Sequence, residues 1–65
     1  MFGQRIKELR LEKNLTQKQL AEILNTTQRT IGKYESESLD LNTDMIIKIC
    51  KYFQVSADFI LGLEN

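Results

Sequence analysis

Gln28, Arg29, Gly32 and Lys33 are spaced so that a helix would gather them on one face, with Ile31 and Tyr34 on the other. The gathered face is polar and has no acid. A Gln amide can bond adenine at two points, and an Arg guanidinium can bond guanine at two points. Thr27, just before this run, can offer a hydroxyl to a phosphate or a methyl to thymine. Gln17 and Lys18 stand at the start of the preceding helical stretch, where backbone N–H groups attract phosphate whatever the side chains are. The chemistry on offer is recognition of a nucleic acid, although on an arbitrary helix such a face is more often a solvated surface.

Other chemistries fall away on residue inventory. There is no His, so Ser-His-Asp and Cys-His nucleophiles are impossible. One Cys and no His cannot form a structural zinc site, and one Cys forms no internal disulfide. Cys50 falls on the inner stripe of a helix and reads as a buried, inert thiol. No carboxylate is paired with a second catalytic group at a meaningful spacing. The expectation is therefore no enzyme, no metal, no cofactor and no evident small-molecule substrate. The longest apolar runs, such as Met45-Ile46-Ile47, are far shorter than the roughly 20 residues of a membrane span. No signal peptide is visible, and a cytoplasmic location is expected.

The chain has 65 residues and no Pro. A domain of this size hides only about 60% of the surface its unfolded chain exposes, so its core is small. Net charge is zero but unevenly spread. Residues 1–33 carry seven bases and three acids, a balance of +4; residues 34–65 carry two bases and six acids, a balance of −4. Such a split can steer an anionic partner toward one end.

The elements that would position the recognition face are helical throughout. Phe2, Ile6 and Leu9 make one stripe of a first helix from about Phe2 to Lys13, stopped at Asn14. Thr16 is the expected N-cap of a second, with Gln19 at capping-box spacing and Leu20, Ala21 and Leu24 on its apolar face. Asn25 can take positive φ, and Thr27 caps a third helix over roughly Gln28 to Glu35. The stretch from Ser36 to Asn42 is polar and acidic. Asn42 or Thr43 caps a fourth helix with the stripe Ile46, Ile49, Cys50 and Phe53. Ser56 caps a short fifth, with Ala57, Ile60 and Leu61 facing in and Gly62 at its C-cap. Only Asn25, Thr26 and Thr27 separate the second and third helices, which is the spacing of a helix-turn-helix rather than an antiparallel hairpin.

The run LTQKQLAEILNTTQRTIGKYE, Leu15 to Glu35, resembles the helix-turn-helix of Cro/CI-type (Xre-like) transcriptional regulators. RIKELR, from Arg5, is similar to that family's first helix, and IIKICKYFQVSADFILG, from Ile46, to its last two. The resemblance implies an all-α, five-helix, lambda-repressor-like DNA-binding domain with a core over about residues 5–61 and the helix-turn-helix over about 16–35. It implies a third helix in the major groove and a homodimer on a palindromic operator. Carried onto this chain, it makes Gln17 a phosphate clamp and sets Thr27, Gln28, Arg29 and Lys33 against base edges or adjoining phosphates. Gly32 would lie outward without a side chain. Arg10 and Glu35 would form a partly buried salt bridge, with the remaining Arg10 donors facing the DNA backbone. Three departures stand out: Asn25 replaces the usual turn Gly, the loop Ser36 to Asp40 is acidic, and Gly32 weakens the recognition helix by about 1 kcal/mol relative to Ala.

The reading is a single domain over residues 1–65, a sequence-specific double-stranded DNA-binding regulator, a repressor acting as a homodimer. Phe59, Leu61 and Leu63 offer an apolar edge for that pairing. The rivals are the DNA-binding part of a longer regulator, and a protein-interaction module that keeps the fold without reading DNA.

Overall fold

The computed structural model describes residues 1–63; Glu64 and Asn65, at the end of the expected domain span, lie outside the described residues. Five helices follow one another: α1 (Phe2–Glu12), α2 (Gln17–Ile23), α3 (Gln28–Glu35), α4 (Thr43–Phe53) and α5 (Ala57–Leu61). No strand occurs among the described residues.

Local chemistry sets most of the boundaries. Thr16 and Gln19 make a reciprocal capping box: the Gln19 amide donates to Thr16 Oγ1 at 3.0 Å, and the Thr16 amide donates to Gln19 Oε1 at 2.9 Å. Thr27, Asn42 and Ser56 each accept the amide three residues on, at 3.2, 2.8 and 3.0 Å. Each such cap contributes about 1 kcal/mol. Asn14 and Asn25 both stand at positive φ, 56° and 57°, where the short amide side chain is tolerated. Asn25 therefore does the work of the glycine common at this turn. The turn closes when the Thr26 amide donates to the Ala21 carbonyl at 2.8 Å.

Each helix sends one aliphatic side chain to complete burial: Ile6, Leu20, Ile31, Ile49 and Ile60, with Leu24 from the end of α2 beside them. A fully buried side chain of this size stabilises by roughly 1.5–3 kcal/mol. Tyr34, Met45 and Phe53 complete the core. Two details of the expected packing change. On α4 the buried stripe is Met45, Ile49 and Phe53, while Ile46 and Cys50 are half-buried. With Asn42 as cap, the i, i+4, i+8 row beginning at Met45 meets the core, and Ile46 lies one helical step aside. The Cys50 thiol is thus not buried outright, though partial burial still raises its pKa. On α5, Ile60 is buried and Phe59 half-buried, whereas Ala57 and Leu61 are exposed. A five-residue helix has a single turn, and Ala57 and Leu61, four apart, share its outer side.

Candidate nucleic-acid interface

The outward side of α3 carries Gln28, Arg29 and Lys33, all exposed. Its inward side is anchored by Ile31 and Tyr34, which are buried. Thr27 is exposed at the N-cap; its hydroxyl oxygen accepts the Thr30 amide and shares a 3.0 Å hydrogen bond with the Thr30 hydroxyl. Lys18 is exposed on the first turn of α2, whose side chains form no acidic cluster there. The three exposed α3 side chains and Lys18 stand on two helices joined through one short turn.

Behind this face lies a buried polar network. Arg10 Nε donates to Glu35 Oε2 at 2.7 Å, and a terminal nitrogen of the same guanidinium donates to Glu35 Oε1 at 3.1 Å. The other terminal nitrogen donates to the Leu15 carbonyl at 2.8 Å. The two side chains are only 10% and 6% exposed. Two parallel N–H bonds to one carboxylate make this the stronger kind of ion pair and give it a fixed orientation. Glu35 also accepts from Gln17 Nε2 at 3.1 Å. One carboxylate thus ties α1, the start of α2 and the end of α3 together. It also accounts for the only acid within α3, which is paired on the inner side rather than displayed among the bases.

Two expected site positions differ from their sequence reading. Arg10 is turned inward with three nitrogens engaged, so its geometry is that of a strut behind the face. Gly32 is half-buried rather than open, and a Cβ there would stand 3.7 Å from Gln17 Oε1. The Gln17 amide covers this flank of α3 while bonded to Glu35. The two are 18 residues apart, a separation that carries no periodic signature in the sequence.

The acidic loop is also partly spoken for. Glu37, at φ 61°, turns its carboxylate back onto α1. Hydrogen bonding from the Met1 amino group, then from the Gly3 amide at 3.1 Å, holds its carboxyl below the usual range. Asp40 remains exposed. Among the described residues no group of His, Cys, Asp and Glu is placed to hold a metal, and no helix is long and apolar enough to cross a membrane.

The family model described as Helix-turn-helix matches residues 6–60, and the chain belongs to that family. The HTH-type transcriptional regulator ImmR of Bacillus subtilis is 38% identical over 64 residues, 98% of this chain and 50% of its own length. This chain spans about half the length of the curated relatives it matches. Among solved structures, the restriction-modification controller protein C.AhdI of Aeromonas hydrophila superposes with a TM-score of 0.80 at 27% identity, covering 91% of this chain and 89% of its own. The P22 c2 repressor, solved with a synthetic operator, superposes with a TM-score of 0.86 at 22% identity, covering 92% of this chain and 91% of its own. The fold is the all-α, five-helix lambda-repressor-like domain.

Proposed function

We propose that this chain is a sequence-specific double-stranded DNA-binding transcriptional regulator of the cytoplasm, a repressor that acts by occupying its operator. The observation that carries the reading is the outward face of α3. It displays Gln28, Arg29 and Lys33 without an acid, on a helix whose other face is locked into the core. Docked in the major groove, Gln28 and Arg29 read base edges and Lys33 meets a base or an adjoining phosphate. Gln17, Lys18 and Thr27 contact phosphates, which sets the register without choosing the sequence. Arg10 and Glu35 hold α1, α2 and α3 in the arrangement that presents this face. Two copies related by a two-fold axis read half-sites about 34 Å apart on a palindromic operator. The homology to a regulator such as ImmR supports the same reading.

Selection of bound duplexes from a random-sequence pool tests it. The expected result is an enriched inverted repeat, bound with an affinity that falls as salt rises, because phosphate contacts release counterions. No enrichment, together with a flat salt dependence, would mean that the domain keeps the fold without reading DNA.

A further inference from the structure

A groove of about 380 Å³ opens between the end of α2 and the later turns of α4. Ile23, Leu24, Asn25, Lys48, Lys51 and Tyr52 line it. Leu24 is buried, but Ile23 and Tyr52 remain 41% and 36% exposed, large apolar side chains left open to water. Cations border them. Lys48 Nζ donates to the Leu24 carbonyl at 3.3 Å, which holds the ammonium at the groove. Lys51 is exposed on the next turn, and Lys13 Nζ stands 5.3 Å from the centre of the Tyr52 ring. Among the described residues no acid lines the groove, although Glu22 is exposed one residue before Ile23.

The complementary surface lies at the other end of α4. Leu39 is 41% exposed in the loop before the helix. Asp40 follows it, and Asp44 occupies the first turn of α4; both are exposed. An exposed apolar side chain, with one carboxylate next to it in sequence and a second in the following helical turn, thus stands on the same molecule as an apolar groove bordered by ammonium groups.

We propose that the groove receives the Leu39 loop of a second copy of this chain, with Leu39 against Ile23 and Tyr52, and Asp40 and Asp44 facing Lys51 and Lys48. The two surfaces differ, so the contact is head-to-tail. It leaves a free loop at one end and a free groove at the other, and it adds copies in a row rather than closing a pair. It is separate from two-fold pairing through α5. A single groove is smaller than the roughly 1,200–2,000 Å² of a stable interface, so the contact is weak in free solution. It gains weight when copies are held close together, as on neighbouring sites of one duplex. That last consequence rests on the DNA-binding reading; the contact itself does not.

The test uses the 65-residue chain without DNA, so failure here leaves the DNA-binding reading untouched. Nuclear magnetic resonance spectra are followed as protein concentration rises toward the millimolar range. The Leu39 and Ile23 methyl groups and the Tyr52 ring should shift together, and added salt should reverse the shifts. Lys51→Glu and Asp40→Lys, both at exposed positions, should each raise the apparent dissociation constant about tenfold by replacing attraction with repulsion. An equimolar mixture of the two variants should associate again, because each groove then meets a loop of opposite charge. A control pair with the same charge changes on α1, Lys7→Glu and Glu12→Lys, should behave as the unaltered chain does. Absence of any shift would overturn the proposal, as would shifts confined to α5 or a control pair that behaves like the groove pair. Binding of an acidic, leucine-containing peptide to the groove without self-association would equally refute it and assign the groove to another protein.

Discussion

Arg10 and Glu35 are charged residues with a structural place, joining α1 to the end of α3. The pair is nearly sealed from water and is doubly hydrogen-bonded, so each charge depends on the other. Removing one partner strands the other in a poorly solvated site, and such losses reach roughly 3–5 kcal/mol. Arg10→Met and Glu35→Leu should each destabilise strongly in urea unfolding, while the double variant should lose much less than the sum. Losses that add to within about 0.5 kcal/mol would show that the residues act independently. On the outward face the logic is different. Arg29→Ala should weaken binding and relax sequence choice, since a two-point guanine contact provides about 1–3 kcal/mol of discrimination. Lys18→Ala should weaken operator and random DNA alike, as loss of a phosphate contact does. Affinities of both variants on both kinds of DNA decide this; a uniform loss for Arg29→Ala would remove it from base reading.

At the level of elements, two glycines on the same pair of helices should respond oppositely to one methyl group. A Cβ at Gly3 would collide with the Glu35 carbonyl oxygen and lie 2.7 Å from that of Tyr34. Both are backbone atoms at the end of α3, so α1 would have to move away. Gly3→Ala should destabilise by about 1–3 kcal/mol, the usual range for an overpacked contact. At Gly32 the same methyl would sit 3.7 Å from the Gln17 amide, an ordinary contact. Gly32→Ala should therefore stabilise by up to about 1 kcal/mol through helix propensity. Thermal unfolding of the two variants checks both signs. A fall in midpoint for Gly32→Ala would mean that the Gln17 amide cannot give way without loosening Glu35.

At the scale of the whole molecule, the proposed function turns on whether two copies pair. Under the proposed function, pairing two copies doubles the sequence read, and the proposed contact lies at the C-terminal edge. Leu61 and Leu63 are 38% and 68% exposed there, while Phe59 is half-buried beneath the Arg5 guanidinium, 4.6 Å from its ring centre. The exposed leucines, rather than Phe59, are thus available to a partner. Leu63→Asp should leave thermal stability nearly unchanged, since the side chain is not packed. It should shift half-saturation of a two-half-site operator to higher protein concentration. Unchanged operator binding, with a monomer in sedimentation at every concentration, would place the dimer contact elsewhere.

What the sequence determined by itself was local. Thr16 with Gln19, Thr27, Ser56, and the left-handed turns at Asn14 and Asn25 were legible because each depends on residues within four positions of itself. The two faces of α3 were legible for the same reason, since helical periodicity alone separates Ile31 and Tyr34 from Gln28, Arg29 and Lys33. The pairing of Arg10 with Glu35 came from family resemblance; nothing in a 25-residue separation announces it. Tertiary structure alone decided that Gln17 bonds the same carboxylate and covers Gly32, and that Gly3 lets α1 approach the end of α3. It also decided that Met45 rather than Ile46 fills the core, and that Ile23 and Tyr52 meet across a groove. These outcomes depend on how whole helices rotate and close upon one another, which many weak contacts settle jointly and no periodicity along the chain records.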